Sequence, residues 1–556
     1  MLKRKFLAGL PLVLMLLSLA LAACGGSNSQ EQTPAQTHNN QPTAYDSDTK
    51  VLNIIAGSEQ QLILERIVVP WCKTQGITCN YTLKGSVDQA RLLRTGNSPW
   101  DVFWFASSVF QQLGDQGSKL KDVKGMFVTP LVYAGWKSEM QRLGFVGRDV
   151  SITDILDAVQ NNKTSAWLTN PTQSNSGATV YFGFLNHFAG NGPGVALTMQ
   201  QLNSPQVNDG ITRFVRALKQ TPSSSGALMD GCIKDPSCKT LFTYEALVIE
   251  KNQELVKQGH EPFYAVYPKE SLAIADAPMG FLPHGENANS KEQTFLKLQQ
   301  YMLSADAQKQ VQQLGRRPAS SIGLSLSNPD TTVFNPDWGI KATLKQQLLT
   351  YPAPDVIDAA LSKYQTSFRQ PANIVYCLDG SGSMGENDGW NQLKQASGVL
   401  FKQDVAASYY LQTHPQDLTS VMIFNGGIAD GPDGEWTVAG NDAGKLNHLN
   451  DIINAQSPGG GTNAYACLQK AADLFQQRGS ESRKRLVVLM TDGQSDTGGS
   501  NAALAAIKAS GAPVICVPFG NGADTSQLQT IADQTRGTVT AKENLIDSLR
   551  EATGYR

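Results

Sequence analysis

Asp379-Gly380-Ser381-Gly382-Ser383 sets one carboxylate and two hydroxyls at alternate positions of a glycine-containing turn. Oxygens so spaced suit a hard cation such as Mg²⁺, which takes an octahedron of oxygen ligands, keeps part of its water and tolerates hydroxyls. Asp379 brings charge, Ser381 and Ser383 can offer oxygens on one side, and the glycines permit the tight loop. Two further segments carry donors of the same kind, Gly459-Gly460-Gly461-Thr462-Asn463 and Thr491-Asp492-Gly493. Asp and Ser also close ordinary strand-to-helix turns; the company of Thr462 and Asp492 favours the metal. Catalytic readings of these residues fail on composition. Gly380 to Glu386 lacks the Lys-Ser/Thr ending of a phosphate-binding loop, and Ser381 stands where a nucleophile elbow around Ser383 requires Gly. Glu386 and Asp388 are ordinary surface-loop residues, a poor basis for a hydrolytic metal centre. No enzyme activity is expected.

Such loops need strands to aim them. Ile374-Val375-Tyr376-Cys377-Leu378 is apolar throughout, as a fully covered central strand is, and runs straight into Asp379. Val487-Val488-Leu489-Met490 does the same ahead of Thr491-Asp492-Gly493, and a helix expected over 464–477 presents Thr462 at its start. All three loops then fall on one edge of a parallel sheet. With D-x-S-x-S, Thr and T-D-G in this order, residues 371–556 resemble the von Willebrand factor A (VWA) domain. That resemblance implies a Rossmann-like fold with a central, mostly parallel sheet. It also implies a metal-ion-dependent adhesion site formed by Asp379, Ser381, Ser383, Thr462 and Asp492, holding Mg²⁺ (or Mn²⁺ or Ca²⁺), with a partner protein's carboxylate filling an open metal position.

Ahead of it, Val51-Leu52-Asn53-Ile54-Ile55 begins an alternation of strand and helix: a helix over 59–73, a strand over 78–83, a helix over 87–94 and a strand over 101–105. This order indicates a parallel sheet, and its strands end in Gly57-Ser58 and Ala106-Ser107-Ser108, where open α/β sheets hold ligands. Trp100-Asp101-Val102-Phe103-Trp104, Thr129-Pro130-Leu131-Val132, the segment Leu168 to Gly177, and Phe263-Tyr264-Ala265-Val266-Tyr267-Pro268 follow in order. Together they make residues 51–350 resemble the type 2 periplasmic solute-binding proteins. The resemblance implies two lobes closing on a small molecule, one formed by about 51–155 and 265–345 and the other by the residues between. Thr172, Ser174, Asn175 and Ser176 precede a helical run, 178–188, whose free N–H groups suit an anion; they equally suit simple helix capping. With Ser58, Ser107 and Ser108 they are the expected ligand residues, and Tyr244 and Glu245 are weaker candidates. Residues 351–370, which mix Pro with a short helical pattern from Val356 to Tyr364, are expected to be a connector.

Lys3, Arg4 and Lys5 precede an apolar run from Phe6 to about Leu21 that contains Pro11 and ends at Leu21-Ala22-Ala23-Cys24. This is a secretory leader rather than a membrane span, over residues 1–23. It resembles a bacterial lipobox, which implies acylation of Cys24 and anchorage to a membrane on the extracytoplasmic face. Residues 24–50, poor in aliphatic side chains, are expected to be a disordered tether. Outside the cell disulfides persist; local bridges Cys72–Cys79 and Cys232–Cys238 are expected, their spacing being too long for zinc pairs. Cys377, Cys467 and Cys516 are expected to be buried free thiols. The formal net charge is −2, and the leader holds three basic residues and no acidic one, so its removal leaves a still more acidic chain with no basis for nucleic-acid binding. The expectation is an α/β, membrane-anchored binding protein for a small ligand and a protein partner. The alternative is the substrate-binding component of an ABC-type transporter with an accessory VWA domain.

Overall fold

In the computed structural model, which describes residue 42 and residues 44–554 except 97, 271, 321–323, 387, 430–435, 480–481, 520–524 and 541–544, the apolar run around Ile54 becomes the first strand of an α/β sheet. That sheet has the order β2-β1-β3-β10-β4, from β1 (Val51–Ala56), β2 (Thr78–Leu83), β3 (Val102–Trp104), β4 (Lys121–Gly125) and β10 (Pro278–Phe281). β1 pairs in parallel with β2 and β3, whereas β10 returns antiparallel between β3 and β4. A second sheet holds β5 (Phe127–Trp136), β6 (Ala166–Trp167), β7 (Thr240–Tyr244), β8 (Phe263–Val266), β9 (Ile274–Ala275) and β11 (Arg317–Pro318). These are the two lobes, with the chain crossing between them at Met126, at 276–277 and again ahead of Arg317.

The lobe limits expected near 155 and 265 are therefore corrected. The run containing Thr129-Pro130-Leu131-Val132 belongs to the second sheet, where β5 pairs antiparallel with β7, β8 and β9. An apolar run alone does not say which sheet it joins. The helix expected over 59–73 forms in pieces, with a π turn at Leu64–Val68 that leads into Val69–Thr74 and accommodates Pro70. The tether also ends earlier than expected: Thr49 O accepts from Thr294 Oγ1 at 2.9 Å and Lys291 Nζ lies 4.7 Å from the Tyr45 ring, so residues 45–49 lie along helix Ala288–Met302. The leader, Cys24 and the tether as far as residue 41, with residue 43, lie outside the described residues. No described helix is long and apolar enough to cross a membrane.

The connector contains the short helix expected from Val356 to Tyr364, which runs over Pro354–Lys363. Val356, Ile357, Ala360 and Leu361 of helix Pro354–Lys363, with Tyr364 and Phe368, join one apolar cluster with Val87 and Phe103 of the first lobe and Tyr133 and Phe242 of the second. Beyond it, Arg369 forms a buried pair with Asp417 (Nη1–Oδ1 3.0 Å), whose carboxylate also accepts from the N–H groups of Ala372 and His414. This fixes the start of a third sheet, β14-β13-β12-β16-β17-β18. Its strands are β12 (Ala372–Asp379), β13 (Leu418–Phe424), β14 (Ile428–Ala429), β15 (Thr437–Ala439), β16 (Lys484–Thr491), β17 (Val514–Pro518) and β18 (Thr538–Val539). β12, β13, β16, β17 and β18 run parallel; β14 and β15 pair antiparallel with β13. All eight residues of β12 are buried, as its unbroken apolar run requires.

Cys72–Cys79 and Cys232–Cys238 are disulfides. Cys377 and Cys467, expected free, are bonded to each other across 90 residues, with Cα atoms 6.0 Å apart. Spacing reveals only bridges between sequence neighbours; this one depends on helix Ala464–Gln477 packing over β12. Cys516 remains a buried free thiol, and burial pushes its pKa upward.

Candidate metal centre and interlobe cleft

β12 and β16 lie side by side, with Leu378 level with Met490, so the turns that follow them emerge together. The two turns interlock: Asp379 Oδ1 accepts from Ser381 N (2.8 Å) and Oδ2 from Thr491 Oγ1 (2.5 Å), while Ser383 Oγ donates to Asp492 Oδ1 (2.8 Å). The Ser381 and Ser383 hydroxyl oxygens are 3.1 Å apart. The third loop docks through its main chain, Gly459 N to Gly380 O (2.8 Å) and Gly382 N to Gly460 O (3.1 Å), which brings Thr462 to the same edge. Its neighbour Asn463 caps the helix that follows. A Cβ on Gly493 would stand 3.5 Å from Ser383 Oγ, so the T-D-G turn lies against the serine loop.

Four of the five expected donors are thus joined by hydrogen bonds or direct contact, and Thr462 stands on the loop bonded to them. Thr491 joins them: its hydroxyl orients Asp379, and the tripeptide T-D-G carries that signal. The electrostatics suit a cation. Asp492 Oδ2 is buried without a hydrogen-bond partner. Burial first, then the neighbouring Asp379 charge, raise the Asp492 pKa. Such a carboxylate oxygen is costly unless something positive meets it. Among the described residues no group of three or more His, Cys, Asp or Glu forms a metal cluster. The donor set is two carboxylates and three hydroxyls, which fits Mg²⁺ better than a soft ion.

The expected ligand residues of the first 350 positions divide into four groups. Ser58 lies in the seam between lobes, its Oγ 3.1 Å from Ser225 Oγ and accepting from Gly226 N at 3.1 Å. Ser174, Asn175 and Ser176 form a buried polar turn on the facing lobe, where Asn175 Nδ2 donates to Tyr244 Oη (2.8 Å) and Ser176 Oγ lies 2.8 Å from Thr169 Oγ1. Ser107 and Ser108 serve the fold: Ser107 caps helix Ser108–Gly114, and Ser108 N donates to Asp276 Oδ1. Thr172 is turned elsewhere, bonded to Asn170 Oδ1 (2.8 Å) and Gln365 Nε2 (3.2 Å), with its carbonyl accepting from Arg550 of the C-terminal helix. Glu245, the weaker candidate, is held by Arg317 at 2.7 Å and by Tyr267 as a buried ion-pair network.

Glu59, which sequence reasoning passed over, occupies the seam beside Ser58. Its Oε2 accepts from Ser225 Oγ of the opposite lobe at 3.5 Å, its Oε1 is buried without a partner, and burial raises its pKa to about 7. No apolar or charge pattern singles out a lone Glu after a strand.

Residues 52–317 match the family described as bacterial extracellular solute-binding protein, and residues 373–553 match the von Willebrand factor type A domain. No curated protein matches the chain. Among solved structures, a von Willebrand factor type A protein from Catenulispora acidiphila is 20% identical over 34% of this chain and 43% of its own, with a TM-score of 0.29. This chain therefore spans less than half the length of that structure. The sulfate-binding protein SubI from Mycobacterium tuberculosis H37Rv is 16% identical over 49% of this chain and 88% of its own, TM-score 0.38. A periplasmic thiamin binding protein is 10% identical over 56% of this chain and 92% of its own, TM-score 0.42. The chain joins a bacterial extracellular solute-binding domain to a VWA domain.

Proposed function

We propose that this protein is an exported binding protein, anchored to the membrane through acylated Cys24, whose VWA domain holds a divalent cation and presents it to a partner protein. Asp379, Ser381, Ser383, Thr462 and Asp492 would hold Mg²⁺, with Mn²⁺ or Ca²⁺ as substitutes, directly or through water. The bound ion supplies an open position for a partner's carboxylate. The observation that carries the reading is the buried, unpartnered Asp492 Oδ2 beside Asp379 and two serine hydroxyls. The solute-binding domain takes a small molecule between its lobes, around Ser58, Ser174, Asn175 and Ser176, with Tyr244 bonded to Asn175 and Glu59 beside Ser58. The function proposed is recognition rather than catalysis.

Isothermal titration with Mn²⁺ tests the metal centre. Wild type is expected to bind one ion that EDTA removes, and Asp379→Ala combined with Asp492→Ala to bind none. Absence of binding by wild type, or undiminished binding by the double variant, overturns the reading.

A further inference from the structure

The C-terminal helix Leu545–Gly554 belongs to the VWA domain by its apolar side: Leu549 and Ala552 are buried in one cluster with Tyr376 and Leu378 of β12 and with Met384 and Trp390. Its polar side faces the solute-binding domain and touches both lobes. On the first lobe, Asp88 Oδ1 lies 2.7 Å from Arg550 Nε, and Lys84 Nζ lies 2.6 Å from Asp547 Oδ2, with Arg91 3.8 Å from the same carboxylate. On the second lobe, Thr221 Oγ1 donates to Gly554 O at 3.0 Å, Gln173 Nε2 donates to Arg550 O, and Arg550 Nη2 donates to Thr172 O. Arg550, 2% exposed, therefore holds one lobe by a charge pair and the other by a main-chain bond.

The two anchor sets straddle the interlobe seam. Gly85 and Gln173 meet across it so closely that a Cβ on Gly85 would stand 2.0 Å from Gln173 O. Bonds of this length are lost once donor and acceptor part by about 1 Å, so the lobes cannot rotate apart there while the helix keeps both sets. Releasing the first-lobe set parts the buried Asp88 and Arg550 charges, the costly way to break such a pair.

We propose that the C-terminal helix of the VWA domain is a latch across the two lobes: seated, it holds them at one angle, and the cleft opens only when the helix leaves one of them. This rests on the reading that the lobes close on a solute, yet lobe angle can be read without one. The test uses the full chain with spin labels on Asn289→Cys in the first lobe and Val256→Cys in the second, both exposed. Cys516 is buried and the other described cysteines are bonded. Electron–electron double resonance is expected to give one interlobe distance for the otherwise wild-type chain and an added longer-distance population for Arg550→Gln and for Asp88→Asn. Asp88→Asn lies outside the VWA domain and guards against misfolding of that domain. Amide protection at residues 84–91 and 170–176 is expected to fall about tenfold or more in the same variants, with β12 and β16 unchanged. An unaltered distance distribution in variants that keep VWA protection overturns the latch. Failure to find any bound solute by native mass spectrometry would count against the solute reading and leave the distance result standing.

Discussion

Replacing Asp492 by Asn separates a metal ligand from a turn residue, because the two roles give opposite signs in the absence of metal. In EDTA the wild-type site keeps two carboxylates in company, one with a buried oxygen that has no partner. In Asp492→Asn the side-chain amide oxygen would still accept from Ser383 Oγ, while the buried charge beside Asp379 disappears. The metal-free variant is therefore expected to melt at the wild-type temperature or slightly above it. With free Mg²⁺ at a hundred times its Kd, the wild type gains about 2.7 kcal/mol, roughly 5–10 °C for a domain of this size. Loss of one charged donor weakens the site by about 3 kcal/mol, near 100-fold in Kd. At the same Mg²⁺ concentration the variant then gains only about 0.4 kcal/mol, close to 1 °C. Differential scanning calorimetry of both proteins in EDTA and in Mg²⁺ measures the four midpoints. Equal Mg²⁺ shifts in the two proteins would refute the argument, as would a variant already several degrees less stable in EDTA, since Asp492 would then be closing a turn.

Three other outcomes follow from the buried groups. Glu59 is raised from 4.5 to about 7, so the native protein binds its proton more tightly than the unfolded chain does. Stability is expected to fall as pH rises from 5 to 8, by up to about 3 kcal/mol from this group, and Glu59→Gln to flatten that part of the urea-unfolding profile. Removing the Cys377–Cys467 bond by a double Ala substitution is expected to cost about 4 kcal/mol, as suits a loop of 90 residues, and to lower Mn²⁺ affinity; titration and calorimetry read the two effects. Arg369→Ala removes the guanidinium that pairs with the buried Asp417 carboxylate and is expected to cost about 3–5 kcal/mol in chemical unfolding.

What could be read in advance was what a short stretch determines alone. β12 and β16 announce themselves as apolar runs because both faces are covered, and each delivers its oxygen-bearing turn without help from distant residues. The helix over 464–477 formed at its expected bounds for the same local reason. Long-range consequences were hidden. Cys467 finds Cys377 only because a helix lies across a strand, and β5 joins the second lobe because its partners come more than a hundred residues later. Thr172 had the composition of a ligand turn, and what it meets is Arg550, 378 residues onward. Glu59 and Thr491 draw their importance from where Ser225 and Asp379 are placed opposite them.

The segment between the two family matches, residues 318–372, has a consequence for anyone dividing this protein. Val333, Phe334, Trp338, Ile340 and Leu344 fill the core of the second lobe, and the helix after them completes an apolar cluster shared by both lobes. A piece cut at residue 317 would carry its own interior as an exterior, a surface that invites aggregation. Expression of the solute-binding half is thus expected to succeed only when the chain runs on to about Phe368, well past the end of the family match. In inheritance as in the laboratory, the separable unit is set by what is buried, and here it is larger than the motif that identifies it.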